Sequence, residues 1–203
     1  MTVQNGDELT ELKNQIRKTA HANRKSQADK DSVSEQITTT VMDLPEYKAA
    51  KTIMWYVDVR DEVRTRHALP SAIATGQKIV VPFCVDGELE LFHLESMDEL
   101  ETGMYKILEP RADLREVASK RVPVDQLDFV LVPGVGFDDQ GGRTGHGKGY
   151  YDKLLENARQ DAPLIALAFD CQMFPEIPMQ SHDIYMDKVV TETAVHPGRG
   201  RAS

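Results

Sequence analysis

The sequence is short of positive charge. Among 203 residues, 24 Lys and Arg stand against 33 Asp and Glu, a formal charge of −9, and aromatic residues make up only 6%. This excludes a general nucleic-acid binder, which tracks the phosphate backbone with an excess of cations, so any anionic ligand has to meet a local basic cluster. Cysteine is scarce too. Cys84 and Cys171 each lie inside an apolar run, with no second Cys or His at metal-ligand spacing. A disulfide framework and a zinc site are thereby excluded, and two buried free thiols in a reducing, cytoplasmic setting are expected. No apolar run approaches the roughly 20 residues needed to cross a bilayer, and the N-terminal MTVQNGDELTELKNQ lacks the basic-then-apolar order of a secretory signal. The expected partners are small molecules, with neither nucleic acid nor membrane. No repeat or compositional break divides the chain, so one domain over residues 1–203 is expected, as a monomer.

What is present is an alternation of helical and extended patterns. DELTELKNQIRKTAHANRK places Leu9, Leu12, Ile16 and Ala20 on one helical face, with Lys13, Arg17 and Arg24 along its edge. A second helix is predicted over Lys30 to Met42. KTIMWYVDV (51–59) reads as a strand and RDEVRTRHALPSAIATG as a helix closed by Gly76. KIVVPFC (78–84), the Asp86-Gly87 turn and the alternating ELELFHL read as a hairpin. Residues 95–126 are polar and hold Pro110 and Pro123, which predicts loops and short helical turns. DFVLVPG (128–134) and PLIALAFD (163–170) read as buried strands, GYYDKLLENARQ between them as a helix, and DKVVTET as a last short strand. This order predicts a layered α/β sheet, mostly parallel, with helices on both faces.

Between DFVLVPG and that helix lies GGRTGHGKGYYD (141–152), which holds five glycines, two cations, a histidine and a carboxylate. Glycines bring the backbone close to a ligand, and a strand, glycine loop and helix in succession can converge N–H groups on phosphate oxygens. Arg143 and Lys148 favour a polyanion there. The spacing Gly142-x4-Gly147-Lys148 begins like a P-loop, but Gly149 stands where the metal-binding Ser or Thr belongs, which counts against a small-molecule kinase. Asp152, one turn into the helix, is then placed to meet a metal. A flexible surface loop with incidental charges is the bland alternative.

PGVGFDDQGGRTGHGKGYYDKLL closely resembles the characteristic segment of the 5-formyltetrahydrofolate cyclo-ligase, or methenyltetrahydrofolate synthetase, family. LKNQIRK, VDVRDEVRT and SHDIYMDKVVTE resemble three further family segments, in order along nearly the whole chain. The resemblance implies a three-layer α/β/α fold of the sugar-phosphate isomerase and CoA-transferase type. It also implies an ATP- and magnesium-dependent ligase of folate one-carbon metabolism that turns 5-formyltetrahydrofolate into 5,10-methenyltetrahydrofolate, releasing ADP and phosphate through a phosphorylated formyl group. A non-catalytic relative that binds nucleotide or folate is the other reading.

Residue by residue, the resemblance makes Lys13 and Arg17 the phosphate-binding pair, within a nucleotide motif that includes Asn14, Gln15 and Ile16. It makes Arg143, Thr144, Gly145, His146, Gly147, Lys148, Gly149, Tyr150 and Tyr151 the nucleotide loop. Val57 and Glu62 match substrate contacts, and His146, Gly147, Lys148, Gly149 and Tyr150 match positions facing both ligands. Arg143, Lys148 and Glu62 are the implied catalytic groups. Asp152 and Asp187 match the magnesium carboxylates, with Asp183 a possible substitute for Asp187. Tyr105 matches an aromatic near the pterin, and His182 reads as a loop residue. From spacing alone, Lys13 and Arg17 could equally be a solvated helix edge, Glu62 a helix N-terminal carboxylate, and Tyr150 ordinary helix packing.

Overall fold

The computed structural model describes residues 6–103 and 107–201. Helix α1 (Gly6–Ser26) is followed by α2 (Lys30–Asp43) and α3 (Pro45–Ala49), then strand β1 (Thr52–Met54), α4 (Leu69–Ala74) and the strands β2 (Lys78–Val85) and β3 (Glu88–His93). Next come β4 (Leu100–Thr102), β5 (Leu108–Pro110), α5 (Ala112–Arg115), β6 (Phe129–Val132), β7 (Gly136–Phe137) and β8 (Arg143–Thr144). The chain closes with α6 (Tyr150–Glu156), β9 (Leu164–Leu167), β10 (Lys188–Val190) and β11 (Val195–Pro197).

Seven strands form the central sheet in the order β11-β10-β9-β6-β1-β2-β3. The inner five run parallel, and β3 and β11 pair antiparallel at the two edges. Strand residues alternate between two apolar clusters. Ile53, Ile79, Val81, Phe129, Leu131, Ile165 and Leu167 join Ile37, Val41 and Tyr47 of α2 and α3 on one face. Met54, Val80, Val130, Val132, Leu164 and Ala166 join Leu154 and Leu155 of α6 on the other. A parallel sheet buried on both faces explains why its strands read as unbroken apolar runs. The expected three-layer α/β architecture is what the chain adopts.

Several expectations need correction. The β1 run pairs over only three residues, and the helix expected after it does not begin until Leu69. Buried Asp58 intercepts it: its Oδ1 accepts the N–H groups of Thr65 at 3.0 Å and Arg66 at 2.9 Å. A short side chain that satisfies backbone donors offers the chain an alternative to helix, and Arg60 turns the segment with φ 55°. The Asp86-Gly87 turn is as predicted, with φ 49° and 85°, a pair that suits a tight hairpin. The polar middle contains short 3-10 turns, as predicted, and also a two-stranded ribbon of β4 and β5. Cys84 is exposed and Cys171 half-buried, because strand alternation on the β2–β3 edge turns Cys84 outward. Among the described residues no helix is long and apolar enough to cross a membrane.

Candidate active site

The chain steps from β1 outward to β2 in one direction and from β6 through β9 to β10 in the other, so the strand order reverses between β1 and β6. In open α/β sheets a crevice opens beyond the carboxyl ends at such a reversal. A cavity of about 610 Å³ lies there, lined by Tyr56 and Val57 after β1 and by Pro133 and Gly134 after β6. Helix α1 lies against these strand ends: Asn23 donates to the Cys171 carbonyl at 2.9 Å and Arg24 to the Gly134 carbonyl at 3.1 Å.

One end of the cavity is cationic. Lys13, Arg17, Arg143 and Lys148 line it. Lys13 is only 7% exposed and ion-paired with Asp183, so it is no solvated helix edge. Arg17 donates from Nε to the Gly145 carbonyl at 2.8 Å and from Nη1 to Asn14 Oδ1 at 2.7 Å, which ties α1 to the glycine loop. Arg143, 8% exposed on β8, is ion-paired through Nη2 with Asp152 at the start of α6. Its Nε and the Thr144 hydroxyl are buried without a protein partner. Two buried donors on a cavity wall suit a ligand rich in oxygen acceptors.

The loop itself is held from below. Asp138 Oδ1 accepts the Gly142 N–H at 2.7 Å and the Gln140 N–H at 3.0 Å, while Oδ2 accepts the Ile177 N–H at 2.7 Å. A Cβ on Gly142 would sit 2.5 Å from Asp138 Oδ2, so glycine is required by that contact. Gly147 and Gly149 adopt φ 81° and 69°, and Gly149 turns the chain into α6.

Apolar side chains line the cavity as well, Val57, Pro82, Phe83, Leu89 and Ile107, alongside the charged Asp58, Arg60, Arg66 and Glu109. Glu62 lines the same cavity. It is 7% exposed, and its Oε2 accepts the Val59 N–H at 3.0 Å. Its other oxygen is 3.8 Å from His146 Nε2. Since α4 starts seven residues later, Glu62 caps no helix. Burial, reinforced by the Glu62 carboxylate, pushes the phenols of Tyr56 and Tyr151 well above their ordinary value, so both remain protonated donors.

Four expected positions, Asp187, Asn14, Gln15 and Ile16, do not line the cavity. Asp187 sits at the amino end of β10, where Oδ2 accepts the Leu164 N–H at 2.7 Å. It is outside the cavity, whereas Asp183 lines it. Gln15 and Ile16 do not line it either: Gln15 reaches along the helix to Glu11 at 3.4 Å, and Ile16 is packed into the interior. Asn14 takes part only through Arg17, because positions 13 and 17 share a helix face and 14 to 16 do not. Val57, Glu62, Tyr150, Tyr151, Asp152 and residues 143–149 all line the cavity. His182 is exposed, as expected of a loop residue, and Tyr105 lies outside the described residues. Sequence reasoning missed Asp138 and the burial of Arg24. The first had a signal, an aspartate just before a glycine pair where an Asx turn is favoured. The second had none.

The sequence model of the 5-formyltetrahydrofolate cyclo-ligase family matches residues 9–192. The chain belongs to that family. A probable 5-formyltetrahydrofolate cyclo-ligase of Schizosaccharomyces pombe is 31% identical over 199 residues, covering 90% of this chain and 96% of that protein. The 5-formyltetrahydrofolate cyclo-ligase of Escherichia coli is 29% identical over 167 residues, covering 80% and 90%. Among solved structures, the 5,10-methenyltetrahydrofolate synthetase of Aquifex aeolicus superposes with a TM-score of 0.79 at 31% identity, covering 95% of each chain.

Proposed function

We propose that this enzyme closes the ring of 5-formyltetrahydrofolate to 5,10-methenyltetrahydrofolate with ATP as phosphoryl donor, releasing ADP and phosphate. The observation that carries the proposal is a single cavity at the strand-order reversal that is lined by the cations Lys13, Arg17, Arg143 and Lys148 with the glycine loop, by the apolar Val57, Pro82, Phe83, Leu89 and Ile107, and by buried Glu62. The cations suit a triphosphate and the apolar side chains a flat pterin and aryl group.

A formamide oxygen is a poor leaving group. In this proposal it attacks the terminal phosphorus of ATP, and ADP departs with the bond pair. The neighbouring secondary amine then attacks the activated formyl carbon, and the C–O bond breaks with release of inorganic phosphate. Lys13 and Arg17 bind and orient the phosphates, while Arg143 and Lys148 offset charge on the group in transfer, as positioned donors do in phosphoryl transfer. Glu62 presents its free oxygen to the folate side, and Val57 packs against the ring.

Magnesium fits the donor set. Asp152 and Asp183 bring two carboxylates to the cationic end, and this ion commonly takes one or two protein carboxylates with phosphates and water completing its shell. When bound, it would supply further neutralisation of phosphate charge. Incubating the purified protein with 5-formyltetrahydrofolate, magnesium and ATP should generate the absorbing methenyl product, and omitting ATP should abolish it. Well-folded protein that forms no product under these conditions would overturn the assignment.

A further inference from the structure

Ring closure has a proton to dispose of. The attacking amine carries one hydrogen, and the methenyl product carries none at that nitrogen. Forming the new C–N bond and breaking the C–O bond therefore leaves one proton for the enzyme or the departing phosphate to take.

Three side chains form a succession from a buried to an exposed position. Glu62 is buried, with one oxygen held by the Val59 N–H and the other 3.8 Å from His146 Nε2. The His146 side chain is 41% exposed. Its ring lies 5.2 Å, centroid to centroid, from that of His21, an exposed residue of α1. A separation of 3.8 Å is too long for a hydrogen bond, but one small side-chain movement or one water closes it, and such contacts commonly tighten when substrate arrives. The succession begins at Glu62, which lines the same cavity as the cationic glycine loop and the apolar side chains that suit the folate.

We propose that Glu62 accepts the amine proton at ring closure through its free oxygen and that His146 and then His21 pass it to solvent. This rests on the cyclo-ligase function proposed above and adds a route that the reaction needs. The surroundings suit it. Helix α1 brings Arg17 and Arg24 toward the histidines, the loop after β1 brings Arg60, Asp61 and Glu62, and the glycine loop itself carries Arg143 and Lys148. Partial burial, then Arg24, His146 and Arg60, lower the affinity of His21 for a proton, against a weaker opposing pull from Asp61. Such an imidazole is neutral at physiological pH and releases a received proton readily. Tyr56 and Tyr151 also face Glu62, but both phenols hold their protons.

The test is a single-turnover experiment that follows ADP and the methenyl product separately. With His146→Ala, ADP should form at close to the normal rate while methenyl appearance lags by on the order of 100-fold, the scale of a lost acid–base group. Added imidazole should restore the lagging step in proportion to its free-base fraction. His21→Gln should slow the same step in dilute buffer and recover as buffer concentration rises. A structural role would slow both products together and respond to neither additive. If the wild type turns over while His146→Ala keeps its pH–rate profile and ignores imidazole, the phosphate takes the proton and this proposal fails alone. A wild-type chain that makes no product sinks this proposal and the function beneath it together.

Discussion

The proposal that Asp183, rather than Asp187, would face magnesium separates two effects that sequence matching runs together. Asp187 Oδ2 accepts the Leu164 N–H at 2.7 Å at the start of β9, and its own N–H donates to the Leu164 carbonyl at 2.8 Å. A hydrogen bond to a charged acceptor contributes about 1.5–3 kcal/mol. For a chain of this length each kcal/mol moves the melting temperature by about 2–4 °C, so Asp187→Ala should lower it by roughly 3–12 °C. Its magnesium requirement should be unchanged, because Asp187 is remote from the cavity. Asp183→Asn should do the reverse. It keeps the shape and the amide oxygen that can accept from Gln180 N–H, but it removes the charge facing Lys13 and the cationic end. The magnesium concentration for half-maximal rate should rise about tenfold or more, the scale seen when a metal's immediate surroundings are altered. Initial rates over a magnesium titration and thermal melts of both variants decide the matter. If Asp187→Ala shifts the magnesium titration with a normal melt while Asp183→Asn does not, the assignment of these two carboxylates is wrong.

Other outcomes follow from the same geometry. Arg143→Ala and Lys148→Ala should each lower kcat by about two to three orders of magnitude if both offset phosphoryl charge, and near-normal kcat in both would restrict the loop to binding. Gly134→Ala would set a Cβ 2.4 Å from Phe137 Cζ and 3.1 Å from Arg143 Cγ. With the Phe137 ring fully buried, overpacking of about 1–3 kcal/mol is expected in denaturant titrations, together with lower kcat as the Arg143 stem is displaced. An unchanged denaturation midpoint would refute the contact. Burial holds the His93 imidazole below its ordinary value of 6.5. A group depressed in the folded state favours folding above its unfolded value, and that contribution is lost as pH falls through the folded value. Stability should therefore decline as pH drops below about 6.5, and His93→Gln should flatten the decline; equal slopes in both proteins would remove His93 as a cause.

The sheet was legible because its strands are apolar on both faces, and the glycine loop because its composition is costly anywhere but beside a ligand. The segment 60–68 reads as the start of a helix closed by Gly76, while the feature that overrides it, buried Asp58 reaching forward to Thr65 and Arg66, is a tertiary arrangement. In SHDIYMDKVV the structure puts Asp183, the substitute, on the cavity and Asp187 outside it. Two aspartates in one short segment look interchangeable in sequence, yet β10 begins at Lys188 and fixes Asp187 at the amino end of the sheet, whereas Asp183 precedes the strand on a loop that returns to the cavity. Arg24 shows the limit most plainly. On a helix edge beside Lys13 and Arg17 it reads as solvated, and only the docking of α1 on the strand ends buries it to 1% exposure.

An acidic chain that gathers cations in one cavity has to keep them from repelling one another. Here three of the cavity cations have a partner within the protein, Lys13 with Asp183, Arg143 with Asp152 and Arg17 with the Gly145 carbonyl, and Arg24 beside the cavity has the Gly134 carbonyl. Stability alone is a poor reason for such an arrangement. Buried ion pairs recover their desolvation cost only in part, and apolar residues of similar volume often serve folding as well or better. Arg143 Nε and Arg24 Nε are even left without acceptors, an expense that a core optimised for folding would avoid. The pairs make more sense as charges held ready. Each carboxylate keeps its cation in one orientation, and a polyanion arriving with a divalent cation can engage the two members of a pair separately, cation to phosphate and carboxylate to metal, with little net change in local charge. Rigid placement of opposite charges, rather than an excess of either sign, would let a protein of formal charge −9 hold the proposed triphosphate.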